Sequence, residues 1–273
     1  MMTGRSAQQP LARSASVSDI GKVRLENQDA VLADETLGLW LVADGMGGHA
    51  GGARASAIAR DTVHQRFVAG DGLQTAVMAA HQAIREEQRD HPELNDMGTT
   101  IVALAEQGQE YEICWVGDSR AYRYAPASQR LERLTHDHNV AGVLVASGAL
   151  TPDEATRHPQ RHVLTDCLGL SGSDDPRIDM TRGRWQPDDI IVLCSDGLSG
   201  ELEDGRIAAI IRQQPSARDI VRELLDEAMA AGARDNVSVV VIDAPKQLQM
   251  ARQRRRWPFG LKFWKHGGND REQ

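Results

Sequence analysis

Residues Val237–Ile242 are β-branched at five of six positions, Ser238 being the exception. Such side chains fit a pleated strand and crowd a helix. A run without alternation predicts a strand buried on both faces, so the fold must place a layer on each side of it. Four other apolar runs read as strands: Leu39–Ala43, Thr99–Leu104, Tyr111–Val116 and Ile190–Ser195. Helical patterns lie between them. Ala50–Val68 is alanine-rich, and Leu73, Ala76, Val77, Ala80 and Ile84 share one helical face. Ile220, Val221, Leu224, Leu225, Ala228 and Met229 share another, with Ser216 as N-cap. Thr151, Pro152 and Glu154 announce a short helix with a capping box. Strands and helices do not alternate regularly. The order predicts an α+β fold with sheet in the centre and helices outside.

The chain has 273 residues, 41% of them hydrophobic, which suits a globular protein. No stretch approaches the roughly 18 apolar residues of a membrane span. Met1–Val17 lacks the apolar core of a secretory signal, which points to the cytoplasm. Cys114, Cys167 and Cys194 are far apart and odd in number, as expected of free thiols in a reducing compartment. Residues 1–16 are small and polar and read as disordered, a domain is expected over 17–245, and a tail over 246–273. The net charge of −8 argues against nucleic acid as a partner. Six Lys/Arg and no acid fall within residues 250–265, so the body of the chain is more acidic still.

The chemistry is written at the ends of the strands. Leu39–Ala43 runs into Asp44-Gly45-Met46-Gly47-Gly48-His49, Tyr111–Val116 into Gly117-Asp118-Ser119-Arg120, and Ile190–Ser195 into Asp196-Gly197. Asp235-Asn236 stands just before Val237–Ile242. One Asp-Gly after a strand is most often only a turn. Four strand-end aspartates can converge on a hard cation, and the glycine lets the Gly45 carbonyl approach as a further ligand.

In order and spacing, these pieces resemble the PPM family, the 2C-type metal-dependent protein phosphatases, in its compact bacterial branch. The matches are Gly21-Lys22-Val23-Arg24 with Asn27-Gln28-Asp29, Val42–Gly48, Met97-Gly98-Thr99-Thr100 and Val116–Tyr122. They continue through Leu134-Thr135 with Asp137-His138, His158–Gly169, Cys194–Leu198 and Arg234–Ser238. The resemblance covers about residues 14–243 and implies a central antiparallel β-sandwich with α-helix pairs on both outer faces.

It also implies roles. Asp44 would bridge two Mn²⁺ or Mg²⁺ ions, joined at one by Asp196 and Asp235 and at the other by the Gly45 carbonyl. Asp29 would act through water, Asp118 with Asp196 would hold a third, weaker ion, and Arg24 would grip the substrate phosphate. The implied activity is hydrolysis of phosphoserine and phosphothreonine by in-line attack of water activated between ions about 3.5–4 Å apart. Implied partners are phosphoproteins, in particular a Ser/Thr kinase or its substrates, met by a monomer. The alternative is a non-catalytic phosphoprotein-binding or scaffold member of the fold, against which the full aspartate set argues.

Some positions depart from the family pattern. Met46 stands where many eukaryotic members carry a histidine proposed as general acid, and His49 fits better at the start of the next helix. His162 replaces a usual asparagine, and Asp166 a usual basic residue, within a flap expected at about 139–165. His136-Asp137-His138 looks like a metal motif, but the resemblance explains Asp137-His138 as part of a loop. In the tail, Trp257, Phe259, Phe263 and Trp264 are interleaved with basic residues. That segment reads either as a solvated extension or as a membrane-surface or partner-docking patch, with Pro258 forbidding one continuous helix.

Overall fold

A computed structural model describes residues 13–48, 51–169 and 175–245. The basic tail and His49 lie outside the described residues. One sheet has the order β1 (Arg13–Asp19), β11 (Val237–Asp243), β10 (Ile190–Cys194), β7 (Arg120–Ala125), β8 (Arg130–Arg133). The second has the order β2 (Asp29–Asp34), β3 (Leu39–Met46), β5 (Ile101–Gln107), β6 (Glu110–Val116), β9 (Asp179–Arg184), with the two-residue β4 (Gly98–Thr99) beside β3. Every pairing is antiparallel.

The run Val237–Ile242 is the second strand of its sheet and is buried throughout. Its Val240 and Ile242 meet Trp40, Val42, Val102 and Leu104 between the sheets. Val237, Val239 and Val241 point outward, where α6 (Asp204–Gln213) and α7 (Ala217–Ala231) cover them. Strand β3 divides its residues likewise: Leu39, Leu41 and Ala43 pack under α1 (Gly51–Val68) and α2 (Leu73–Asp90). Four layers result, helices–sheet–sheet–helices, because two doubly buried strands need cover on both sides.

The helical reading of the sequence holds in detail. Leu73, Ala76, Val77, Ala80 and Ile84 are the buried stripe of α2. Ser216 accepts the Asp219 amide at the start of α7, and Thr151 and Glu154 close a capping box on the short α4 (Pro152–Ala155). Two expectations need correction. The strand expected at Thr99–Leu104 is divided between β4 and β5, with Thr100 between them. Residues Arg13–Ser16, expected to be disordered, form the first half of β1 and pair with Val240–Asp243. A strand at a sheet edge needs only one apolar face, and Ala15 with Val17 supplies it. Among the described residues, no helix is long and apolar enough to cross a membrane.

Candidate active site

At one end of the sandwich the inward face of the strands turns from apolar to acidic. On β3 the inward positions run Trp40, Val42, Asp44, and Asp29 on β2 stands directly opposite Asp44 in the register. From the other sheet come Asp196, at the first turn of α5 (Asp196–Ser199) after β10, and Asp235, just before β11. Asp118 sits in the turn between β6 and β7. Asp44, Asp118, Asp196, Asp235, Gly45 and Arg24 all line a single cavity of about 430 Å³. The structure thus gathers these candidate site residues at one cavity, with Asp29 opposite Asp44 on β2.

The carboxylates are held through their backbones and neighbours. Thr100 N and Thr99 Oγ1 both donate to Asp44 O, at 2.8 and 2.9 Å. Thr100 Oγ1 lies 2.7 Å from Ser119 Oγ, tying the Asp44 strand to the Asp118 turn. Gly117 has φ +103°, and a side chain there would meet Thr100. The Arg120 guanidinium makes a two-pronged pair with Asp137, at 3.0 and 2.7 Å, which fixes the far side of that turn. A Cβ on Gly45 would strike Gly52 O and Gln28 O, so only glycine lets this strand pass so close.

Asp29 Oδ2 accepts from Ser195 Oγ at 2.9 Å, and Ser195 Oγ in turn accepts from Ser238 N at 3.0 Å. Asp29 Oδ1 is buried with no hydrogen-bond partner. Burial, then the nearby Asp196 and Asp235, pushes the Asp29 carboxyl up to about 6. Burial, and next to it the charge of Asp29, holds Asp44 well above the usual carboxylate range. Burial and Asp196 push Asp118 up to about 7. An acidic pocket of this kind, with an orphaned buried oxygen and only oxygen donors from its carboxylates, fits a hard divalent cation such as Mg²⁺ or Mn²⁺.

Arg24 stands at the mouth, its Nη2 donating to Asp235 Oδ2 at 2.6 Å. The loop that carries it is latched by Asn236, a residue whose role the sequence did not reveal. Asn236 Nδ2 donates to Ile20 O and Glu26 O, at 2.9 and 3.0 Å, and Asn236 Oδ1 accepts from Gln28 N at 2.8 Å. Met46 lines the cavity and carries no titratable group. His162, Leu164 and Asp166 close the cavity from the flap side, after α3 (Val140–Ala146) and α4.

These observations decide the family. The sequence matches protein phosphatase 2C over residues 22–238. The chain belongs to the protein phosphatase 2C family. It is 36% identical over 238 residues to the serine/threonine protein phosphatase PstP of Mycobacterium tuberculosis, covering 85% of this chain but only 45% of that relative. It superposes on the PPM Ser-Thr phosphatase MsPP of Mycobacterium smegmatis, solved with cacodylate, with TM-score 0.77 and 38% identity over 86% of this chain and 100% of that one. The catalytic domain of PstP, solved with two manganese ions, gives TM-score 0.74 and 33% identity over 85% of this chain and 98% of that one.

The suspected metal motif resolves differently. Asp179, on the edge strand β9 and not foreseen from the sequence, joins His136 and His138, and one ligand atom from each lies within 4.8 Å of the others. Gly117 N donates to His138 Nδ1 at 3.3 Å, which leaves the proton on Nε2, 3.0 Å from Asp179 Oδ2. A proton therefore stands where an ion would need a lone pair. Arg177 Nη2 also lies 2.9 Å from Asp179 Oδ2 and neutralises it. The cluster reads as hydrogen bonding that ties the Asp118 turn to β9.

Proposed function

We propose that this chain is a metal-dependent protein phosphatase that hydrolyses phosphoserine and phosphothreonine. The observation that carries the reading is the convergence of Asp44, Asp118, Asp196 and Asp235, drawn from both sheets, on one cavity with Arg24 at its mouth. Asp44 would serve two core ions, Mn²⁺ or Mg²⁺, with Asp196 and Asp235 at one and the Gly45 carbonyl at the other. Asp118 with Asp196 would hold a third, weaker ion. When bound, such ions act as Lewis acids and lower the pKa of water toward neutrality.

The chain's own residues do the rest. The Arg24 fork, held over the cavity by Asp235, is placed to take two oxygens of a phosphate dianion. Ser195 occupies Asp29 Oδ2 and leaves the buried Oδ1 without a partner, so Oδ1 can accept a hydrogen bond from one water. Met46 has no proton to give, so protonation of the departing serine or threonine oxygen falls to another donor.

The substrates we infer are phosphoproteins, with a bacterial Ser/Thr kinase or that kinase's own substrates as partners, met in the cytoplasm by a monomer. Support comes from the named Ser/Thr phosphatases among the relatives. The test is turnover of p-nitrophenyl phosphate and a phosphothreonine peptide with Mn²⁺ or Mg²⁺. Activity should appear with either ion and vanish with EDTA. Full turnover after exhaustive chelation would overturn the reading.

A further inference from the structure

We propose that the loop carrying Arg24 is also a docking edge for substrate, on which Val23 and Leu25 receive a bulky apolar side chain next to the phosphorylated residue. The inference rests on the phosphatase reading above and adds to it a substrate class: phosphoprotein segments with an aliphatic or aromatic residue beside the phosphoserine or phosphothreonine.

Seven large apolar side chains are exposed among the described residues, and three of them, Ile20, Val23 and Leu25, fall within one six-residue stretch. Val23 is 63% exposed and Leu25 fully so. An exposed apolar residue standing alone is ordinary and carries no meaning. These two stand immediately on either side of Arg24, which lines the cavity and pairs with Asp235.

The loop is firmly seated. Gly21, at φ +75°, packs so closely that a Cβ there would strike the carbonyl oxygens of Ala233 and Asp235. Lys22 N donates to Ala233 O at 2.9 Å, and Asn236 holds both ends of the loop through Ile20 O and Glu26 O. The backbone is thus tied down while the side chains of Val23 and Leu25 stand in water. Holding apolar surface in water on a fixed backbone costs free energy that an apolar occupant offsets.

Continuity with the phosphate site names that occupant. The cavity receives the phosphate, so the residues flanking the phosphorylated one must lie on its rim. An extended chain advances about 3.3 Å per residue, which carries the first flanking residue past the immediate neighbours of the side chain that grips the phosphate. Those neighbours are Val23 and Leu25. Arg24 then supplies the contact common to all substrates, and the two apolar side chains discriminate among them by the area they bury.

The deciding experiment uses the full chain with Mn²⁺ and three phosphothreonine peptides: glycine on both sides of the phosphothreonine, leucine before it, or leucine after it. Wild type should show kcat/KM roughly tenfold higher for at least one leucine peptide than for the glycine peptide. Leu25→Met should keep that ratio, and the double variant Val23→Ser with Leu25→Ser should lose it. Each variant is judged by the ratio between peptides, so a change in folding or metal loading cancels. Equal turnover of the three peptides by wild type, or a preference that survives in the double variant, overturns the docking edge and leaves the phosphatase reading standing. Sedimentation velocity supplies the competing outcome: a wild-type dimer that the double variant dissolves, with the peptide ratio unchanged, would assign the loop to a second copy of the chain and overturn the proposal. If wild type turns over none of the peptides, the phosphatase reading falls and this inference with it.

Discussion

Asp29 and Asp44 face each other directly across β2 and β3. Opposed residues on antiparallel strands hold their Cβ atoms about 4.5–5.5 Å apart, and like charges there destabilise a sheet. Both carboxyls are desolvated as well. Asp44→Asn should therefore stabilise the protein in EDTA by about 1–3 kcal/mol at neutral pH. The same variant should lose most phosphatase activity and the rise in Tm that Mn²⁺ gives wild type. Thermal unfolding with and without Mn²⁺ measures both, and a lower Tm for the variant in EDTA would contradict the strain.

Arg24 is more than half exposed, with side-chain exposure of 55%, and pairs with Asp235 of the site. Its removal should leave the carboxylate set standing. Arg24→Ala should raise KM for a phosphothreonine peptide roughly tenfold with a smaller effect on kcat, and Arg24→Lys should recover part of the loss. Steady-state kinetics that show unchanged KM would remove Arg24 from phosphate binding.

Asn236 is buried and ties residues 20–28 to β11. Asn236→Ala would strand one amide and two carbonyls, at a cost of about 2–4 kcal/mol. The loss should show in denaturant unfolding without metal, and KM should rise with it because Arg24 rides on the same loop. A variant as stable as wild type would show that the latch contributes nothing.

Glu106 lies at the opposite end of β5 from the site, buried, with neither carboxylate oxygen hydrogen-bonded. Burial pushes its pKa from 4.5 up to about 8. The folded state therefore keeps the proton longer than the unfolded chain does. Stability from this group is full below about pH 4.5, declines as pH rises, and levels off above about pH 8. Glu106→Gln, which mimics the protonated form, should match wild type in Tm at the low end and exceed it by a few degrees at the high end. Parallel curves for the two proteins would show that Glu106 is not under this penalty.

The sequence exposed those parts of the molecule that are locally encoded. The doubly buried strand at Val237–Ile242, the stripe of α2 and the caps at Ser216 and Thr151 each follow from neighbours a few residues apart. The strand-end aspartates were visible for the same reason. What stayed hidden depends on partners far along the chain. Nothing near Ser195 or Ser238 announces that they support Asp29, although Ser238 is the one polar residue in its run. The first half of β1, Arg13–Ser16, looked too polar to be ordered because its pairing with β11 spans more than two hundred positions. Asp179 gave no signal on an edge strand whose side chains alternate between half-buried and exposed.

The placement of β11 has a consequence for biosynthesis. Among the described residues this last strand lies between β1, the first, and β10, and brings Asp235 and Asn236 with it. Until it leaves the ribosome, its sheet lacks the strand that joins its two parts, the Arg24 loop has no latch, and the aspartates of the two sheets have no common cavity. A nascent chain should thus be silent toward phosphoproteins through most of its synthesis, and a fragment cut before Asp235 should lack the cavity that the proposed hydrolysis needs.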